Sequence, residues 1–148
     1  MPPEKLRLSG AAEGMDGLLR TVERALAERD STRLEDLMVT AQEFRDILFP
    51  SFPAAHPPIN ADFETVWLLQ ASDSRRGLRR LLRDYGGKKV RILAIRFENP
   101  HQDFVNFVLD ETSRVDLEVD GERRENVKLF GSVFHIGEQY KLLSYPDD

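Results

Sequence analysis

Gly86-Gly87 divides this chain into two stretches that obey different periodicities. Before it, apolar residues recur every three or four positions, as on one face of a helix. After it they alternate, as along a strand. Helices first and strands after restrict the fold to an α+β domain, with helices on one face of an antiparallel sheet. We expect three N-terminal helices packed on a curved antiparallel sheet of about five strands. At 148 residues the chain suits one domain. Residues 1–10 read as a loose tail and residues 11–148 as the domain.

The first helix is expected over about 11–29, with Leu18, Leu19, Val22, Ala25 and Leu26 as its apolar stripe. Thr32 and Glu35 read as a capping box that opens a second helix. Its face holds Leu34, Leu37, Met38, Ala41, Phe44, Ile47 and Leu48, and it ends before Pro50. "FPSFPAAHPP" cannot be helix or central strand, because proline lacks a donor and fixes φ. It is too apolar for a flexible linker and reads as an ordered loop. The third helix runs from about 62 to 85, with a pause near Ser72-Asp73-Ser74, and Gly86-Gly87 stop it. Then come "KKVRILAIRF" as a strand, "ENPHQ" as a turn, and "DFVNFVLD" and "RVDLEV" as strands. Asp120-Gly121 makes a hairpin. "NVKLFGSVFHI" reads as one long strand and "QYKLLSY" as the last.

Several of these strands look apolar on both faces. Ile92 and Ala94 oppose Leu93, Ile95 and Phe97; Phe130 and Phe134 oppose Leu129, Val133 and His135. A homodimer through the outer sheet face is the simplest cover.

The chain has no cysteine, so disulfides and thiolate chemistry are excluded, and a cytoplasmic setting is expected. "MPPEKLRLSG" lacks the apolar stretch of a signal peptide, and no apolar run approaches membrane-spanning length. The net charge of −5 is unevenly spread. Residues 73–91 hold 8 basic and 2 acidic groups, between flanks that are each strongly acidic. A dedicated nucleic-acid binder is basic overall, so this balance argues against that role.

The order of elements resembles the nuclear transport factor 2-like superfamily, a cystatin-like α+β cone with polyketide-cyclase-like and ketosteroid-isomerase-like members. The similar stretches are "LAERDSTRLEDLM", "LRRLLRDYGG" before a strand, "VDGERRENVKLFGSVF" and "GEQYKLLSY". Together they cover the chain from about residue 12. The resemblance implies a cone that often holds a small apolar ligand, often dimerises and hosts many unrelated functions. Many members carry a strand hairpin between the second and third helices; here residues 49–61 stand in its place.

Candidate chemistry is sparse. The histidines are His56, His101 and His135, with no metal-ligand spacing, so no metal and no cofactor is expected. His56 and His101 read as loop and turn residues. His135 shares a strand face with Val133 and is the one weak catalytic candidate, as an acid or base. Phe63, Trp67, Phe97 and Phe107, with Arg96 and His135, are candidates to line a ligand pocket. "YGGKK" follows its helix, at the negative end of the dipole, so its glycines cap rather than cradle phosphate.

The basic run "SRRGLRRLLRDYGGKK" splits on a helical wheel. Arg75, Arg76, Arg79, Arg80 and Arg83 occupy roughly 0–140°, and Leu78, Leu81, Leu82 and Tyr85 roughly 240–340°. The first set is expected in solvent, or against an anion or acidic partner. The expected function is a non-catalytic, dimeric small-ligand-binding domain. The alternatives are a cofactor-independent cyclase, isomerase or hydratase using His135 or a pocket carboxylate, and an interaction module using the Arg75–Arg83 stripe.

Overall fold

The computed structural model describes residues 7–146. They form an α+β fold of four α-helices and a six-stranded sheet, one helix and one strand more than expected. A short β1 (Ala12–Glu13) leads into α1 (Gly14–Glu28), whose buried residues are the expected five from Leu18 to Leu26.

The expected second helix is broken. Asp30, not Thr32, caps α2 (Ser31–Asp36): its carboxylate accepts the Arg33 N–H at 3.0 Å. The chain then leaves the helix because the last strand uses its backbone. Leu142 N–H donates to Leu37 O, and Val39 N–H donates to Leu142 O, each at 2.8 Å. Helix resumes at α3 (Ala41–Glu43) behind a capping box formed by Thr40 and Glu43. It relaxes into a π turn at Phe44–Leu48 and 3₁₀ turns at Phe49–Ser51 and Pro53–Ala55. The proline segment is an ordered loop, with Phe49 buried and Phe52 half-buried. Among the described residues it contains no strand. α4 (Phe63–Tyr85) starts at Asp62, which caps Thr65, and runs without the expected pause. Gly87, at φ 78°, turns the chain and donates its N–H to Leu26 O at the end of α1. No helix of the described residues is long and apolar enough to cross a membrane.

In the sheet, β2 (Val90–Asp103) and β3 (Val108–Val119) form one long hairpin. The "ENPHQ" turn does not form. Pro100 and His101 sit instead in a bulge between Asn99 and Gln102, and the chain reverses at 104–107. A bulge accommodates proline because the extra residue makes no ladder bond. The expected long fourth strand is two: β4 (Glu122–Val127) pairs with the end of β3, and β5 (Val133–Ile136) with its beginning. β6 (Gln139–Leu142) completes the order β1-β6-β5-β3-β2, with β4 beside β3 and every strand pair antiparallel.

A second bulge, between Ile92 and Ala94, explains why the first strand reads as apolar on both faces. One extra residue flips the alternation. Val90 and Ile92 before it, and Ile95 and Phe97 after it, all pack on the same core, leaving Leu93 36% exposed. Leu129, Phe130, Val133 and Phe134 are all at most 1% exposed within this single chain. Of the apolar residues that suggested a second copy over the sheet, these four are covered by the chain itself, whereas Leu93 and Ala94 remain exposed.

Two clusters form the core. The larger joins α1 and the second half of α4 to the sheet through Leu18, Val22, Leu26, Leu81, Val115 and Leu117. The second is aromatic, with Phe44 at its centre. At its rim lies a buried ion pair: Lys141, fully buried, donates to Glu43 Oε1 at 2.7 Å. Both charges also hold Ser9: its N–H donates to Glu43 Oε2 at 2.8 Å and its carbonyl accepts from Lys141 Nζ at 2.5 Å. The expected tail is thus fastened at residues 8–10, while residues 1–6 lie outside the described residues. Burial pushes the Lys141 ammonium below its usual range, and Glu43 opposes that shift.

At the C-terminus, Tyr145 is buried and its hydroxyl donates to Leu34 O at 2.5 Å. The backbone there rests on Gly77 of α4. A Cβ at position 77 would lie 2.6 Å from Pro146 O and closer still to Tyr145 O.

Two predictions follow from these contacts. Gly77→Ala would ordinarily stabilise a helix; here it should destabilise by about 1–3 kcal/mol, as overpacking does. Urea unfolding checks the sign. Lys141→Met should cost about 3–5 kcal/mol, because the Glu43 charge stays buried without its counterion. Adding Glu43→Gln should restore about 1–3 kcal/mol in the same assay.

Candidate functional site

α4 presents two opposite faces. Ser74, Gly77, Leu78, Leu81 and Tyr85 are buried, and Leu82 is half-buried against the same core. On the other side, Arg76, Arg79, Arg80 and Arg83 line an open groove of about 400 Å³, with no other residue type in its wall. Their spacing of i, i+3, i+4 and i+7 puts them on one helical face. Arg75 is exposed but does not line the groove.

The groove carries its own carboxylates at its two ends. Asp73, one turn before Arg76, pairs with its guanidinium, which also donates to Ser72 Oγ at 2.9 Å. Asp84 pairs with Arg83 at 3.0 Å, and that hydrogen bond and charge push the Arg83 guanidinium further up. Between the two ends, nothing among the described residues pairs with Arg79.

Two further hollows adjoin the groove. In one, of about 210 Å³, Arg80, Asp84 and Lys128 share the wall with Leu81 and Pro146. The other is a cleft of about 480 Å³ between α4 and the C-terminal segment, lined by Gln70, Asp73, Ser74, Leu143, Ser144, Tyr145 and Pro146. Asp73 belongs to the cleft wall and pairs with Arg76 of the groove, so this ion pair stands between the two. The sheet adds Arg124, whose guanidinium lies 5.8 Å from the centroid of the Tyr85 ring. Lys128 and the C-terminal wall were not foreseen from the sequence, because they reach this side only through tertiary packing. Asp73 and Asp84 were visible beside the arginines, three residues and one residue away.

The six pocket candidates do not come together. Phe63, Trp67 and Phe107 join the aromatic cluster, where Phe44 lies 6.0 Å from Phe63 and 5.6 Å from Trp67, and Phe104 stacks on Phe107 at 4.7 Å. Phe97 packs on the other core cluster. His135 is half-buried on the opposite face of β5 from Phe134. Its ring stacks on Tyr140 at 4.3 Å, and Nδ1 lies 3.1 Å from Gly137 O. Burial pushes the Tyr140 phenol up, with smaller contributions from Glu138 and Asp110.

His101 is not in a simple turn. It sits in the β2 bulge at φ 52°, and the buried Asp110 carboxylate accepts its N–H at 2.6 Å and lies 3.1 Å from Nδ1. Asp110 thereby holds a backbone conformation that non-glycine residues seldom adopt. His56 Nε2 lies 2.6 Å from Pro50 O. Among the described residues, no three His, Asp or Glu side chains gather as a metal site would require.

Arg96 is in mid-strand on the outer face. It pairs with Asp116 at 2.9 Å and reaches Asn126 at 3.2 Å. The Arg96 hydrogen bond, then the Asn126 N–H, hold Asp116 down to about 2. A carboxylate whose folded pKa is depressed stabilises the fold above its unfolded pKa. That contribution should fade as pH falls from about 4 towards 2. Asp116→Asn should therefore lose less stability than wild type across this window, as measured by acid titration of circular dichroism. Equal losses would remove the pair from the acid response.

No family model, curated protein or solved structure matches this chain.

Proposed function

We propose that this domain is a binding module that recognises an anionic group on a ligand or partner through the arginine groove of α4. The observation that carries the reading is the groove itself: about 400 Å³ walled by four arginines, in a chain of net charge −5. Planar guanidinium forks match carboxylate, sulfate and phosphate oxygens, and they stay charged at any physiological pH. The volume falls within the range of small-ligand sites. The acidic remainder of the surface repels anions elsewhere and so favours this face.

The scaffold reading remains the nuclear transport factor 2-like cone, supported by an α+β fold in which the helices precede five strands of a six-stranded antiparallel sheet. A small apolar ligand inside the cone has less support. The aromatic rings meet one another at 4.7–6.1 Å, which leaves contact between rings rather than space between them.

Ligand binding raises the melting temperature by linkage. Sulfate at ten times its Kd should raise Tm by about 3–6 °C over chloride at matched ionic strength. The double variant Arg79→Glu/Arg83→Glu should lose that increment while keeping the general salting effect. Equal increments in both proteins, read by differential scanning fluorimetry, would refute the reading.

A further inference from the structure

The groove does not treat all anions alike, because its ends are already occupied by its own carboxylates. We propose that it selects an anion with several adjacent charged groups, of the oligophosphate class, and that Asp73 and Asp84 set this selectivity. The inference rests on the anion-binding reading above.

Arg76 and Arg83 are seven residues apart, about 10 Å along the helix axis. A tetrahedral anion seated at Arg79 leaves the two end guanidiniums with their aspartates, whereas a chain of linked phosphates can run along the row towards both. At one end Asp73 holds Arg76, and at the other Asp84 accepts from Arg83 Nε and Nη2, at 3.0 and 3.5 Å. Arg79 stands between them, exposed and with no partner among the described residues. A small monovalent or divalent anion that lands beside Arg79 must compete with a tethered carboxylate for the forks of Arg76 and Arg83. A longer anion anchors first in the middle and then displaces one aspartate at a time, each step intramolecular and helped by high effective concentration.

Asp73 and Asp84 are surface residues with short side chains, and their ion pairs lie in solvent. Exposed pairs of this kind are weak enough to be exchanged. They therefore act as a threshold rather than a block. The shared chemistry is a contiguous phosphate chain, and its source is either a free polyphosphate or a nucleoside triphosphate. In the second case the nucleoside has the neighbouring cleft beside Gln70 and Leu143 to enter.

Isothermal titration with inorganic tripolyphosphate and with orthophosphate, without divalent cations, tests the proposal. Wild type should bind tripolyphosphate at least about tenfold more tightly than orthophosphate. In Asp73→Asn/Asp84→Asn, orthophosphate should gain about fivefold and the ratio should narrow. The charge control Glu13→Gln/Asp16→Asn, at the start of α1, should leave the ratio as in wild type. An unchanged ratio in the Asp73/Asp84 variant, or the same narrowing in the control, overturns the role of the aspartates. Equal affinity of wild type for the two anions overturns the oligophosphate class but leaves an anion site standing. Heat from neither anion, with no sulfate shift, overturns both. A nucleoside triphosphate that binds more tightly than tripolyphosphate supports a nucleotide source, and equal binding supports a free polyphosphate.

Discussion

The buried pair between Lys141 and Glu43 organises more of this fold than its size suggests. Glu43 receives the Thr40 N–H at 2.9 Å, which starts α3, and the Ser9 N–H, which ties down the N-terminal strand approach. Lys141 lies on β6, one residue before Leu142, whose backbone interrupts the second helix. One electrostatic contact thus links the start of the chain, the helix break and the last strand. Two charges removed from water are tolerated only where their remaining hydrogen-bonding capacity is filled. Ser9 supplies both a donor and an acceptor for that purpose. Among the described residues no buried side-chain nitrogen or oxygen lacks a partner.

The division between helical and strand halves was legible in residues 1–148, because periodicity is a property of neighbours. So was the apolar stripe of α1, down to each buried residue. Features created by distant chain were not legible. Nothing in "EDLMVTAQEF" announces that Leu142 will claim the backbone of Leu37 and Val39, since the apolar spacing there suits an unbroken helix. Likewise Lys141 in "QYKLLSY" reads as a solvent-facing strand residue until Glu43 is placed beside it. The two bulges of β2 misled in opposite ways. Pro100 suggested a turn where the strand simply yields by one residue, and the Ile92–Ala94 slip made one covered face look like two apolar ones.

The site shows the same contrast. The wheel separated the arginines of α4 from its leucines correctly, because a helix face is a local property. It could not show that Arg75 stands outside the groove, or that Lys128 and the C-terminal segment complete the surroundings. The aromatic candidates misled because ring content does not distinguish a cavity from its filling. Phe63, Trp67 and Phe107 are near one another, as a pocket would need, but Phe44, Phe52 and Phe104 occupy the space between them.

Gly77 has a consequence beyond the room it provides for Tyr145 and Pro146. It acts as a keyway in α4. A helix packed only by leucines can roll by a few tens of degrees, as side chains adjust their rotamers. A backbone segment seated against Gly77 resists such a roll, because even a Cβ at that position would overlap Tyr145 O and Pro146 O. The azimuth of the arginine row is therefore held by an absent methyl group on the flank of the helix beside Arg80. The direction in which this protein presents its positive charge is fixed by where it has no side chain at all.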